Sequence, residues 1–416
     1  MSAAVTPGPD VHQPFSSTGS PPATARRPPA QERLLSLDVF RGITIAAMLL
    51  VNTPGSWSAI YPPLAHAPWH GWTPTDLIFP FFLFIVGITT TISLGARRQR
   101  GAADRELVRQ ILKRGVAIFL FGILLSGFPF FDIPSTREHG LLEGIRVSLS
   151  TIRIPGVLQR IAVVYVVAAL IALRTTWRQQ LAIILAVLIG YWMALVLIPV
   201  PGQPGAPTID RPAETLAAWV DRLLLDGHLW RNTRSWDPEG PLSTIPAIAT
   251  GMLGVLAGRW IASGKPLSDR IAALFALGSL AIVLGLVWNW VLPINKNLWT
   301  SSYVVFTAGV ASVTLATCMW LIDVHRVRWW TKPFVIFGVN PIAAYVGATL
   351  MARTIYSLVK VEHAGGIVSL QSAIYQSAFA SWLAPRNASL LFAVSYVLLW
   401  LGVMAVLYRK RIILKV

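Results

Sequence analysis

Apolar stretches long enough to cross a lipid bilayer constrain the fold of this 416-residue chain more than any other feature. The chain is 54% hydrophobic and only 13% charged, which is too apolar for a soluble domain of this length. Because a helix needs about 20 apolar residues to cross a bilayer core, the sequence predicts an all-α polytopic membrane protein with about ten transmembrane helices. The predicted spans are 35–54, 75–95, 112–128, 155–173, 181–199, 242–262, 268–291, 302–322, 333–352 and 388–408. A shorter apolar stretch near 373–384 is predicted to be re-entrant or interfacial, so an eleventh span stays open.

Basic residues recur in alternate loops between these spans. The chain carries a net charge of +17, yet the loop 55–74 contains no Lys or Arg. The segment that follows the second span contains Arg97, Arg98, Arg100, Arg105, Arg109, Lys113 and Arg114. Because basic loops stay in the cytoplasm, this alternation predicts that both termini are cytoplasmic. The charge is therefore a topology signal, and we expect no nucleic-acid partner.

The alternation also divides the loops between the two sides of the membrane. The loops predicted to face the outside, which is the periplasm for a protein of the bacterial inner membrane, are 55–74, 129–154, 200–241 and 292–301. Residues 1–32 are rich in Pro, Ala, Ser and Thr without an apolar run, which predicts a disordered cytoplasmic tail. Residues 33–416 are predicted to form a single transmembrane domain. The only cysteine, Cys318, lies in a predicted span, so we expect neither a disulfide framework nor a metal site.

A histidine and a carboxylate lie close together around the first outer loop. Asp76, near the start of the second span, can accept the N–H of the His66 imidazole, fix its tautomer and strengthen it as a base. An interfacial histidine also serves as a membrane anchor, and spacing alone does not distinguish His66 from His70. Asn52, near the outer end of the first span, can donate its amide to a developing oxyanion or to a neighbouring helix. The neighbouring polar groups favour the catalytic interpretation.

Further polar side chains occupy the other outer segments. The candidate ligand-binding residues are Arg153, Arg160, Asp237, Glu239, Lys296 and Asn297. Arg160, about two turns into the fourth span, requires a carboxylate, a phosphate or a water-filled cavity. Asp237 and Glu239 suit an ammonium or hydroxyl-rich ligand, and a turn with a helix cap explains them equally well. Because these elements are all predicted to lie outside, they favour one shared site over unrelated caps.

Two polar features within the spans have both a structural and a functional interpretation. Asp38 and Arg41 are three residues apart and can pair on one face of the first helix, either as a structural ion pair or as part of a ligand site. Asn340 precedes Pro341 in the ninth span and either lines a tunnel or stabilises a kink. The sequence alone leaves both choices open.

Several of these motifs resemble the heparan-α-glucosaminide N-acetyltransferase family of transmembrane acyltransferases, including its bacterial amino-sugar-associated relatives. The resemblance extends from about residue 34 to the C-terminus. The matching segments, in the same order, are Leu37–Gly42, His66–Pro80, Arg153–Arg160, Asp237–Gly240 and Pro293–Thr300. Several separate motifs in the right order make the match specific.

The resemblance implies an activity and roles for individual residues. Members of the family transfer the acetyl group of cytosolic acetyl-CoA to the amine of a terminal glucosamine on the other side of the membrane. His66 matches the active-site histidine, and Asn52 and Asp76 match its polar neighbours. Asn340 is a candidate for lining the donor tunnel. The candidates for holding the CoA phosphates at the inner face are Arg41, Lys113, Arg114 and Lys332, which also satisfy the positive-inside rule.

The resemblance indicates the family, but it leaves the catalytic mechanism and the acceptor sugar open. His66 acts either as a general base in a ternary complex or as a nucleophile that forms an acetyl-imidazole. We favour the general base, because it needs no reactive intermediate protected from water. The chain lacks the large outer N-terminal domain that animal members carry, and its composition looks bacterial. A periplasmic amino sugar is therefore a better candidate acceptor than heparan sulfate.

Two other functions and one assembly stay open. An amino-sugar transporter fits a bundle with a polar pocket, although the chain shows no internal repeat of the kind that builds many carriers. Polysaccharide O-acylation keeps the mechanism but needs a stronger base for a hydroxyl. Gly251, Gly254 and Gly258 permit close helix packing, so a homodimer also stays open.

Overall fold

Helices account for nearly all of the regular structure in the computed structural model, which describes residues 34–414. In chain order the elements are α1 (Leu35–Asn52), α2 (Ile78–Gln99), α3 (Asp104–Gly127), α4 (Ile133–His139), α5 (Leu141–Ser150), α6 (Val157–Arg174), α7 (Trp177–Leu197), α8 (Leu216–Leu225), α9 (Pro241–Ile261), α10 (Leu267–Trp288), α11 (Ser301–Met319), α12 (Lys332–Val339), α13 (Pro341–Arg353), β1 (Lys360–His363), β2 (Gly366–Ser369), α14 (Leu370–Tyr375) and α15 (Pro385–Arg409). The two strands pair antiparallel as a hairpin, with Lys360 opposite Ser369. The predicted tail, residues 1–32, lies outside the described residues.

Eight helices of the described chain are long and apolar enough to cross a membrane, and each coincides with a predicted span. A ninth candidate consists of α12 and α13, which are bent by 85° at a short break. The remaining predicted span, 112–128, lies in α3, whose first three turns are rich in charged residues. By length and composition the candidates therefore number eight or nine, fewer than the ten predicted. The stretch 373–384 forms only short helical turns and no span.

The break between α12 and α13 occurs at Asn340, directly before Pro341. The proline ring disfavours helical backbone in the preceding residue, and Asn340 has φ −126° and ψ 55°. Its side-chain amide donates to the carbonyl oxygen of Ile412 at 2.9 Å and accepts from the amide of Leu414 at 3.0 Å. Asn340 therefore joins the break to the segment after α15, which agrees with the kink interpretation.

Small residues bring the central helices into close contact. A Cβ atom at Gly87 of α2 would lie 2.0 Å from the carbonyl oxygen of Gly251 in α9. Likewise, a Cβ atom at Gly254 would lie 2.1 Å from the carbonyl oxygen of Phe84, and Gly258 is packed against the backbone of Ile88. The glycine face of α9 is thus used within the chain, so it does not provide a surface for a homodimer.

The outer helices of the bundle present their apolar side chains away from the chain. In α7, α10 and α15 only 22–28% of the most apolar stretch of each helix is buried inside the chain. In α1, α6, α9 and α11 the buried share is 56%. On α10 the side chains of Leu277 and Leu280 are each 65% exposed. Such a surface suits lipid chains, since its large exposed side chains are mostly apolar.

We expect Gly254→Val to destabilise the fold, because its side chain would collide with the backbone of α2. A loss of about 2 kcal/mol or more would lower the melting temperature in detergent by roughly 5 °C. The control is Gly402→Val in α15, where no atom lies within 4 Å of the added Cβ. Equal melting temperatures for the two variants would contradict this account of the α2–α9 contact.

Candidate active site

His66 and Asp76 form a hydrogen-bonded pair at the start of α2. The imidazole Nδ1 lies 2.6 Å from the carboxylate Oδ1. The carboxylate is almost completely buried, with 1% of the side chain exposed, whereas 46% of the imidazole is exposed. A carboxylate accepts only, so Nδ1 carries the hydrogen and Nε2 keeps a free lone pair. The pair therefore presents a base to the outside of the chain.

Local backbone contacts hold the Asp76 carboxylate in place. Its Oδ2 accepts from the amides of Ala67 and Thr73, both at 3.0 Å. Thr73 begins the short 3-10 helix Pro74–Leu77, and its hydroxyl also reaches Oδ2 at 3.2 Å. The Tyr303 hydroxyl donates to the Asp76 carbonyl oxygen at 2.5 Å, which fixes α11 to the same point. The carboxylate is thus oriented before any substrate binds.

Lys296, which is 230 residues away in sequence, completes the cluster. Its Nζ lies 3.0 Å from Nδ1 and 3.2 Å from Nε2 of His66, and 3.7 Å from Oδ1 of Asp76. A position nearly equidistant from both ring nitrogens cannot lie on the lone-pair axis of either one. The ammonium is therefore beside the ring and leaves Nε2 accessible. Burial lowers the pKa of Lys296, and the charges of Asp76 and Glu239 oppose this shift.

A tight loop between α10 and α11 presents Lys296 to the histidine. The side-chain oxygen of Asn295 accepts from the backbone amide of Leu298 at 2.8 Å. The backbone amide of Asn295 donates to Thr300 Oγ1 at 3.0 Å. Trp299 has a left-handed backbone with φ 53°, and its ring is fully buried. The amide of Gly71 donates to the Ile294 carbonyl oxygen at 2.8 Å. This last contact joins the two loops that carry the cluster.

The structure distinguishes His66 from His70, which the sequence could not do. His70 Nε2 contacts Asp210 Oδ1 at 3.0 Å, and the Asp210 side chain is 74% exposed. A solvent-exposed carboxylate is mobile and weakens the electrostatic effect of the pair. His70 Nδ1 also lies 3.4 Å from the amide nitrogen of the buried Asn295, but only His66 is paired with a buried carboxylate, which makes it the stronger candidate base.

A second ionic cluster lies close to the first, and its Glu239 is near enough to Lys296 to affect the pKa of that lysine. Arg153 binds both Asp237 oxygens, with Nε 2.8 Å from Oδ2 and Nη2 2.5 Å from Oδ1, and it also binds Glu239. Burial alone would lower the pKa of Arg153, but the negative charges of Glu239 and Asp237 outweigh it and raise the pKa above the usual range for arginine. The Asp237 side chain has no exposed area and Glu239 only 9%. Both carboxylates thus face Arg153 and the loop backbone, without open access for an outside ligand.

Arg160, expected to need a polar partner, is buried in the first turn of α6. Its Nη2 donates to Ser243 Oγ at 2.5 Å, and its Nε donates to Thr244 Oγ1 at 3.2 Å. The guanidinium carbon lies 4.9 Å from the centre of the Trp299 ring, a cation–π distance. Arg160 therefore joins α6, α9 and the loop that carries Lys296, which makes it a packing centre for the site.

Asp221 is a buried acidic residue that was not among the candidates selected from the sequence. It lies on the amphipathic helix α8, and its Oδ2 accepts from the Asp237 amide at 2.9 Å. Burial raises its pKa to about 7, and the neighbouring Asp237 charge adds to this shift. The signal that distinguishes Asp221 is its burial, which depends on how α8 packs against the rest of the chain and is not visible in the sequence.

The remaining candidates are less closely connected to the histidine. Asn52 lies exposed at the end of α1, and within the described chain no hydrogen bond joins it to His66 or Asp76. Asn297 follows Lys296 and is partly exposed. At the other end of α1, Arg41 Nη1 lies 3.4 Å from Asp38 and donates to the Gly338 carbonyl oxygen at 3.0 Å.

Two comparisons place these residues among known proteins. The family model described as "Heparan-alpha-glucosaminide N-acetyltransferase, catalytic" matches residues 33–203, which include His66, Asp76, Arg153 and Arg160. The chain is 32% identical to human heparan-alpha-glucosaminide N-acetyltransferase over 379 residues, which is 78% of this chain and 54% of the human protein. The mouse protein of the same name is 32% identical over 365 residues, covering 76% of this chain and 53% of its own length. The chain therefore spans about half the length of these curated relatives.

We expect Asp221→Asn to stabilise the protein at pH 8 but not at pH 4. Because its pKa is raised, folded Asp221 keeps the proton up to about pH 7, whereas the unfolded carboxyl loses it near the ordinary aspartate pKa of 3.8. The resulting cost to stability grows between these values and is absent below them. Melting temperatures of both proteins from pH 4 to pH 8 test this. A difference independent of pH would contradict a buried, protonated Asp221.

Proposed function

Because the chain belongs to the heparan-α-glucosaminide N-acetyltransferase family, we propose that it is a membrane acetyltransferase. The donor is acetyl-CoA, and the acceptor is the amine of a glucosamine-type sugar. The observation that carries the proposal is the cluster of His66, Asp76 and Lys296, in which a fixed base and a cation meet at an accessible position. Acetyl transfer to an amine needs both functions.

In the proposed reaction His66 acts as the general base. The Nε2 lone pair accepts a proton from the sugar amine as the amine nitrogen attacks the thioester carbonyl carbon. The C–S bond then breaks, the amide remains on the sugar, and the proton moves from Nε2 to the CoA sulfur. The Asp76 carboxylate stabilises the imidazolium that exists between these steps. The residues present at the site thus account for every proton that moves.

Lys296 is the better placed of two candidates for stabilising the oxyanion. An ammonium beside the imidazole ring lies next to the position where the thioester oxygen gains charge during attack. Asn52, the other candidate, has an exposed amide at the end of α1 and enters the proposal through its match to the family motif. The buried Arg153 and Arg160 networks support the loops of the site, and the partly exposed Asn297 is available for the acceptor.

The distribution of basic residues indicates which side of the membrane the His66 cluster faces. The loop 55–74, which carries His66, contains no Lys or Arg, whereas the opposite end of α2 is strongly basic. By the positive-inside rule the cluster faces the periplasm, and both termini face the cytoplasm of a bacterial cell. Acetyl groups from the cytoplasm would thereby reach a periplasmic amino sugar without export of CoA.

We expect His66→Ala to lower acetyl transfer by about 100-fold or more, since general-base catalysis contributes at least that much. The assay supplies acetyl-CoA and glucosamine to the purified protein and follows both thiol release and N-acetylglucosamine. His70→Ala is the matched control, because it removes a histidine from the same loop whose contacts are an exposed carboxylate and a longer, 3.4 Å contact with Asn295 Nδ2. Similar losses in both variants would contradict the assignment.

The same assay distinguishes the mechanisms and the rival function. Without acceptor, a general base predicts no burst of thiol, whereas an acetyl-imidazole predicts one equivalent of CoA per protein. A folded parent that neither binds acetyl-CoA nor turns over, but accumulates labelled sugar in liposomes, would replace the enzyme with a carrier.

We expect Lys296→Met to lower kcat by about 100-fold while leaving donor binding nearly unchanged, because the cation acts mainly on the transition state. Lys296→Arg should recover part of the loss, since it restores the positive charge. Lys265→Met, which removes an exposed lysine after α9, is the control. A rise in KM without a change in kcat would instead make Lys296 a substrate-binding residue.

A further inference from the structure

A large basic cavity opens at the end of α2 that lies opposite Asp76. Its volume is about 700 Å³, and α2, α3 and α6 line it. Four of its lining residues are cations, namely Arg97, Arg100, Lys113 and Arg114. Glu106 is the one carboxylate among the lining residues. The excess of positive charge suits an anionic ligand.

The four cations differ from their neighbours in having no acidic partner. Arg98, on the same turns, is paired with Asp104 at 2.9 Å and also donates to the Leu173 carbonyl oxygen. Among residues 34–414, no ion pair involves Arg97, Arg100, Lys113 or Arg114. Arg114 instead lies over the Tyr165 ring at 5.1 Å. Their guanidinium and ammonium groups therefore remain available for phosphate oxygens.

The cavity offers more than charge. The side-chain oxygen of Gln110 is buried and has no hydrogen-bond partner, although its amide nitrogen donates to Glu106 at 2.9 Å. An unpaired buried acceptor is costly, and a ligand N–H would satisfy it. Tyr165 adds an aromatic face on α6. Phosphate groups joined to a base with an amino group, as in an adenine nucleotide, combine these features.

The cavity also lies at a suitable distance from the histidine. The helical span Pro74–Gln99 runs from Asp76 to the cavity, whose nearest lining residue along α2 is Thr90. At 1.5 Å per residue the Thr90 end of the cavity is about 20 Å from Asp76, whereas Arg97 and Arg100 are about 30–36 Å from it along the helix. An extended pantetheine arm is roughly 15–20 Å long by ordinary bond lengths. A nucleotide held at the Thr90 end of the cavity would therefore place its thioester near His66, at the other end of the helix.

We propose that this cavity, which we call the α2–α3 phosphate pocket, binds the phosphate groups of the CoA nucleotide. The inference rests on the proposed acetyl-CoA donor and adds where its charged end is held. Of the four phosphate candidates selected from the sequence, Lys113 and Arg114 lie in the pocket. Arg41 instead contacts Asp38 and Gly338, and Lys332 lies at the start of α12.

Binding of CoA without any acyl group tests the pocket. The full chain in neutral detergent is titrated with CoA, with dephospho-CoA and with 3′,5′-ADP by calorimetry. We expect Arg97→Gln combined with Arg114→Gln to weaken CoA binding at least tenfold and to reduce the preference for CoA over dephospho-CoA. The matched control, Arg409→Gln combined with Lys410→Gln, removes two exposed charges at the C-terminal end of α15 and should change binding less than twofold.

The outcomes separate this proposal from the enzymatic one. If the pocket variant transfers acetyl groups and binds CoA as the parent does, the pocket assignment fails and the acetyltransferase stands. If the parent binds CoA through the pocket but never transfers an acetyl group, the pocket stands and the acetyltransferase fails. Native mass spectrometry with phosphatidylglycerol gives a third result. Loss of bound lipid in the variant, with unchanged CoA affinity, would make the cavity a lipid headgroup site and overturn the proposal.

Discussion

The buried carboxylate of Asp76 is the interaction on which the candidate site depends. With 1% of its side chain exposed, the charge would be very costly without compensation. Two backbone amides, the His66 imidazole and the Lys296 ammonium provide that compensation from three directions. Because Tyr303 binds the carbonyl oxygen of the same residue, α11 is also fixed to this point. One buried charge thus organises two loops and two helices.

The arrangement separates roles that the sequence presents together. Arg153 and Arg160 satisfy buried carboxylates, hydroxyls and an aromatic ring, and they hold the loops in position. His66 and Lys296 remain partly accessible, so their chemistry is available to a substrate. A buried, hydrogen-bonded network beneath a partly open pair is the kind of arrangement that preorganised catalysis requires.

Most of the transmembrane architecture could be predicted from the sequence, because apolar length is a local property. The exceptions have physical causes: α3 begins among charged residues, and the ninth predicted span is broken before Pro341. The His66–Asp76 pair could be anticipated, since ten residues separate its members. The contact with Lys296 could not, because it depends on how two distant loops fold together. Asp221 gave no signal at all, since only its tertiary burial makes it unusual.

The side chain of Asn340 also gives the assembly of the bundle a fixed order in time. Its two partners, Ile412 and Leu414, follow all the candidate spans in the chain. Ribosomal synthesis proceeds from the N-terminus, so both hydrogen bonds at the helix break form only after the last span has been made. Until then the polar amide at the break has neither of these partners in an apolar surrounding, which costs free energy. The biogenesis of this bundle is therefore completed from its C-terminal end.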